Sequence, residues 1–171
     1  MTSNPSAPMR NKKNRSVLAI DPGYDRVGIA VMRGEKLTMS ECLVPTTKEF
    51  SERLKQIYQR ITTVIHEHRP DAIAIETIFM TRNQKTAIKV AEARGVAILA
   101  AANAGLPLFE YSPQDVKIAV TGQGNADKKA VIKMVGLILK LPARKRFDDE
   151  YDAIALGLAH QAAVRVRDLS T

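Results

Sequence analysis

Apolar residues in the amino-terminal half of the chain fall into short runs that stop at charged or turn-forming residues. Residues 17–20, V-L-A-I, end at Asp21, and Pro22-Gly23 follow at once. A short aliphatic run closed by a Pro-Gly breaker predicts a buried strand. Residues 27–32 form a second such run, predicted to return as its hairpin partner, and residues 36–44 a third antiparallel strand. The period then changes. Thr46-Thr47-Lys48-Glu49 has capping-box spacing, and Phe50, Leu54, Ile57, Ile61, Val64 and Ile65 lie on one helical stripe. Arg69-Pro70-Asp71 breaks that helix. Residues 72–75 repeat the opening design, an apolar run that ends in a carboxylate, here Glu76.

A helix is predicted over residues 83–103, with Ala87, Ala91 and Gly95 making one face nearly flat for close packing, either onto the sheet or onto a second copy. Residues 107–111 predict a further short strand. Ser112-Pro113 opens a helix as N-cap and first-turn proline, and Gly122 stops it. Asn125 or Asp127 caps the next, whose inner face carries Val131, Met134, Val135, Ile138 and Leu139. Asp148-Asp149 starts a last helix that reaches about Arg165, with Ile154, Leu156, Leu158 and Ala159 as core candidates. Strands first and then alternating strands and helices predict an α/β fold with a mixed sheet.

At 171 residues the chain fits one domain, over residues 16–166, with an amino-terminal tail (1–15) and a short carboxy-terminal one (167–171). The first tail carries Arg10, Lys12, Lys13 and Arg15 with no acid and no apolar period, which predicts disorder. The single cysteine, Cys42, excludes an internal disulfide and any multi-thiolate metal site, and His66, His68 and His160 are scattered. Any metal is therefore expected on oxygen ligands. No apolar run is long enough to span a bilayer, and no secretory h-region is present, so a cytoplasmic protein is expected. The net charge of +8, from 26 Lys and Arg against 18 Asp and Glu, favours an anionic partner such as nucleic acid.

Four carboxylates share a context. Asp21 and Glu76 end apolar strands, while Asp149 and Asp152 stand at i, i+3 on one face of the last helix. Each has a plain structural explanation: turn chemistry for Asp21, a strand-end surface acid for Glu76, capping and helix-dipole complementation for the other two. If the two strands are neighbours and the helix packs over their rim, all four converge. Clustered carboxylates repel unless cations neutralise them, and two divalent ions about 4 Å apart are the standard device for phosphodiester displacement.

The chain resembles the RuvC family of bacterial Holliday-junction resolvases, within the RNase H-like superfamily. The motifs that carry the resemblance are A-I-D-P-G at 19–23, A-I-E-T-I-F-M at 74–80, A-E-A-R-G-V-A at 91–97, F-E-Y-S-P-Q-D-V-K at 109–117, T-G-Q-G-N-A-D-K at 121–128 and D-E-Y-D-A-I-A-L at 149–156. The resemblance implies an RNase H-like mixed five-stranded sheet flanked by helices. It implies a Mg²⁺-dependent endonuclease that resolves four-way DNA junctions by symmetric paired nicks. Asp21, Glu76, Asp149 and Asp152 would be the catalytic, metal-binding carboxylates, holding two Mg²⁺ per site with Mn²⁺ as a substitute. Phe79 would stack on or wedge between bases, and Lys117 and Lys128 would lie near the scissile phosphate. A homodimer and the RuvA–RuvB branch-migration complex are the expected partners, with the flat face of the 83–103 helix as the candidate dimer contact.

The sequence departs from the family's pattern at Ala30, where a second glycine is usual, at Tyr151, where a small residue is usual, and in the basic loop 140–146. The alternative within the same fold is a nuclease for another branched or RNA-containing substrate. An actin-like ATP-binding protein shares D-x-G after a first strand but needs a duplicated domain, and no repeat is present. A junction-binding protein without catalysis has no use for four acids facing a phosphate.

Overall fold

The computed structural model describes residues 15–78 and 84–169. Five strands, β1 (Ser16–Asp21), β2 (Val27–Arg33), β3 (Lys36–Leu43), β4 (Ala72–Glu76) and β5 (Leu108–Tyr111), form one sheet in the order β3-β2-β1-β4-β5. β1, β2 and β3 make an antiparallel meander; β4 lies parallel to β1, and β5 parallel to β4. The helices are α1 (Phe50–His68), α2 (Gln84–Asn103), α3 (Pro113–Thr121), α4 (Lys128–Leu139) and α5 (Asp148–Leu169).

Strand alternation gives the sheet two unlike faces. Leu18, Ile20, Ile29, Val31, Ile73 and Ile75 form a bulky face, covered by Ile57, Ile61 and Val64 of α1 and Ala93, Ala97, Ala100 and Ala101 of α2. The opposite face presents Val17, Ala19, Ala30, Met32 and Ala74 to α3, α4 and α5. Small residues there let α5 approach the strands closely. A side chain at Gly157 would come within 2.7 Å of Met32 Cγ, and one at Gly28 within 1.9 Å of the Asp149 carbonyl oxygen. Ala30, fully buried on this face, belongs to the same close fit.

Three local expectations are corrected. The N-cap of α1 is Glu49, which accepts from the Ser51 backbone N–H, rather than Thr46; Thr47 Oγ1 instead accepts from the Glu49 N–H. Of the flat α2 face that the sequence left open between the sheet and a second copy, Ala87 is buried while Ala91 and Gly95 are exposed, and the stripe that meets the sheet is Ala93, Ala97, Ala100 and Ala101. Ile138 of α4 is exposed, while Val131 and Val135 are buried. Asp127 rather than Asn125 caps α4, and Ser112 with Asp115 forms a full capping box on α3. α5 runs on to Leu169, past the expected end near Arg165. The amino-terminal tail, apart from Arg15, and Phe79 lie outside the described residues. No helix among the described residues is long and apolar enough to cross a membrane.

Candidate active site

Asp21 and Glu76 are the last residues of β1 and β4. The parallel pairing of Ile20 with Ile75 puts both acids side by side at the carboxyl ends of adjacent strands. Parity sends them to the small-residue face: Asp21 continues Val17 and Ala19, and Glu76 follows Ala74. α5 then lays its first turn over this rim, held there by Gly28, which is paired with Asp21 across the hairpin. The predicted convergence of strands and helix is therefore present.

Asp21, Glu76 and Asp152 line a cavity of about 240 Å³ together with Lys117 of α3 and Lys128 of α4. Val116, Val131 and Leu156 form its apolar wall. Burial, then the charges of Glu76, Asp152 and Asp149, push the Asp21 carboxyl well above its usual value. Burial and Asp152 also raise Glu76, while a hydrogen bond with Asp21 and the Lys128 and Lys117 charges pull it back. Burial raises Asp152 against the opposing pull of Lys128, whose Nζ lies 2.9 Å from Asp152 Oδ2 and 3.5 Å from Asp148 Oδ2. These contacts with Asp152 and Asp148 outweigh burial and leave the Lys128 pKa raised.

Asp149 sits to one side of the cavity. Its Oδ2 is 3.0 Å from Arg26 Nε, yet that buried oxygen makes no hydrogen bond. Among the described residues no three His, Cys, Asp or Glu side chains already stand close enough to enclose an ion. The donor set nevertheless fits a hard divalent cation: four carboxylates at one rim, three with raised pKa, and one buried oxygen without a hydrogen-bond partner. Asp21, Glu76, Asp149 and Asp152 are the residues that could hold it. Burial first and the Asp149 charge next push the thiol of Cys42, opposite Gly28 on β3, up to about 11.

Residues 17–160 match the family model of crossover junction endodeoxyribonuclease RuvC. The chain belongs to that family. The RuvC of Syntrophomonas wolfei is 43% identical over 155 residues, covering 88% of this chain and 90% of that one. The RuvC of Pseudoalteromonas translucida is 45% identical over 148 residues, covering 84% of each chain. Among solved structures, T. thermophilus RuvC in complex with a Holliday junction substrate superposes with a TM-score of 0.82 at 35% identity, covering 90% of this chain and 96% of that one. The yeast mitochondrial Holliday junction resolvase Ydc2 shares the fold, with a TM-score of 0.62 at 16% identity.

Two features near the RuvC-like rim escaped the sequence reading. One is Arg26 on Asp149, stacked 5.5 Å from the ring centroid of Phe147. The other is the anchoring of the basic loop. Glu150, 2% exposed, accepts from Ser40 Oγ at 2.6 Å and from both terminal nitrogens of Arg144, and lies 3.4 Å from Arg146 Nε. Arg146 also covers the Tyr151 ring, which accounts for a large residue at that position. Glu150 lies between Asp149 and Asp152 in sequence but on a different side of the helix, and its partners Ser40 and Arg144 are what spacing could not show.

Proposed function

We propose that this protein is a structure-specific endonuclease that hydrolyses phosphodiester bonds at four-way DNA junctions, nicking two strands symmetrically. The observation that carries the reading is the meeting of Asp21, Glu76 and Asp152 with Lys117 and Lys128 around one cavity. Asp149 stands at its edge. Family membership and the likeness to a RuvC bound to a junction supply the substrate class.

Divalent cations, Mg²⁺ or Mn²⁺ and two per site, held by Asp21, Glu76, Asp149 and Asp152, would supply a water nucleophile at neutral pH and neutralise the leaving oxygen. The protein's own groups do the rest. Lys117 and Lys128 draw the scissile phosphate into the cavity and offset its charge. The apolar wall of Val116, Val131 and Leu156 limits water at the phosphorus. Water adds at phosphorus as the P–O3′ bond breaks, leaving a 3′-hydroxyl and a 5′-phosphate. Phe79, on the segment after Glu76, is assigned to stacking on junction bases.

Two opposed strands of a junction need two sites, which supports a homodimer. The outer side of α2 carries exposed Ile88, Ala91, Gly95 and Leu99, an apolar stripe suited to a second copy. The RuvA–RuvB complex is proposed as the partner that delivers junctions.

Cleavage of a labelled four-way junction, a linear duplex and an RNA–DNA hybrid, each with Mg²⁺ and with EDTA, tests the reading. Paired Mg²⁺-dependent nicks confined to the junction are expected. Cleavage of the hybrid instead would move the function to the RNA-containing alternative.

A further inference from the structure

Both acids of the α5 pair meet a cation: Asp152 meets Lys128, and Asp149 meets Arg26. Lys128 lines the cavity with the acids, whereas Arg26 comes from the β1–β2 turn on the far side. That turn is fixed. A side chain at Gly23 would lie 2.2 Å from the Arg26 carbonyl oxygen, so only glycine closes it there. Arg53 of α1 pins it further, donating to the Tyr24 carbonyl at 3.1 Å and to Asp25 Oδ1 at 2.8 Å. The Arg26 backbone is therefore held, while its side chain is 49% exposed.

The contact that Arg26 makes is incomplete. Its Nε stands 3.0 Å from Asp149 Oδ2 without hydrogen-bond alignment, leaving that oxygen to a better partner. The guanidinium also leans on Phe147, itself half exposed, toward solvent at the rim where DNA would lie. Neighbouring Arg144 and Arg146 are both committed to Glu150.

We propose that Arg26 is an exchanging counter-ion. It neutralises Asp149 until a divalent cation takes that carboxylate, and then carries its charge to a phosphate of the DNA backbone. This rests on Asp149 being a metal ligand, as in the function proposed above. Occupation of the acids and grip on the DNA would thereby be linked, the arginine gripping only beside a loaded site.

Two measurements on the full chain test it. The first is Mn²⁺ affinity without DNA, by calorimetry, for the wild type, Arg26→Gln and Arg26→Lys. Arg26→Gln is expected to bind Mn²⁺ about two- to fivefold more tightly, the worth of a partly exposed ion pair, and Arg26→Lys like the wild type. The second is the salt dependence of four-way junction affinity, in EDTA and in Ca²⁺. Arg26→Gln should lower the slope by about 0.9, one phosphate contact, in Ca²⁺ only. Unchanged or weaker Mn²⁺ binding by Arg26→Gln overturns the proposal, as does an equal loss of slope in EDTA and Ca²⁺. A wild type that binds no Mn²⁺ at all overturns the metal-site reading itself, a result distinct from either of these.

Discussion

A β-carbon on Gly28 would sit 1.9 Å from the carbonyl oxygen of Asp149, so the first turn of α5 rests directly on the backbone of β2. Asp21 is the register partner of Gly28. The contact thus sets the height of the helical acids above the strand acids.

Gly28→Ala is expected to force α5 away from the sheet. Overpacking of this kind costs about 1–3 kcal/mol, with more where backbone must move. Denaturant unfolding should show the loss, and junction cleavage should fall further than stability alone explains. Gly136→Ala is the control: this helical glycine of α4 has open space around it, and the change should stabilise by about 0.5–1 kcal/mol.

The raised carboxyls give a pH dependence whose sign is fixed. Asp21, Glu76 and Asp152 have native pKa values above their unfolded ones. Such groups favour the folded state at low pH, and that contribution is lost as pH rises through the native values. The metal-free melting temperature should therefore decline as pH climbs from the ordinary Asp value of 3.8 through the raised one. Asp21→Asn should flatten the decline and melt higher than the metal-free wild type above that window. Added Mg²⁺ should stabilise the wild type more as pH rises and Asp21→Asn less, read by calorimetry.

Glu150→Ala is expected to cost about 3–5 kcal/mol, because it strands the Arg146 guanidinium nitrogen that lies buried against it. The loop it anchors should open at the same time. Trypsin cleavage at exposed Lys145 should quicken in the variant before global unfolding; an unchanged cleavage rate would mean that Arg144 and Arg146 hold the loop without Glu150.

Much of this was legible in the chain because the signals are local. An apolar run that stops dead at a carboxylate marked Asp21 and Glu76, and i, i+3 spacing marked Asp149 and Asp152. What stayed hidden depends on partners distant in sequence. Arg26 reads as one more turn cation until the fold brings it to Asp149, and Glu150 reads as a solvated helix acid until Ser40 of β3 meets it. The small stripe of α2 left two readings open for another reason. Both sides of that helix are rich in Ala and Gly, so residue size could not show that Ala93 and Ala97, rather than Ala91 and Gly95, face the sheet. At α1 the cap falls to Glu49, whose side chain accepts from the Ser51 N–H, while Thr46 Oγ1 accepts from Gln56 Nε2 instead.

The central claim is that the Asp21-centred acids perform cleavage while the basic residues hold the junction. Asp21→Asn, assayed for cleavage in Mg²⁺ and for binding on the same labelled four-way junction, tests it most directly. Cleavage is expected to fall by at least about 10²–10³-fold, the loss typical of removing one preorganised charged group from a transition-state cradle. Binding should hold or tighten, since it rests on Lys and Arg contacts to phosphate. Binding that falls in step with cleavage, or cleavage that survives, would contradict the account.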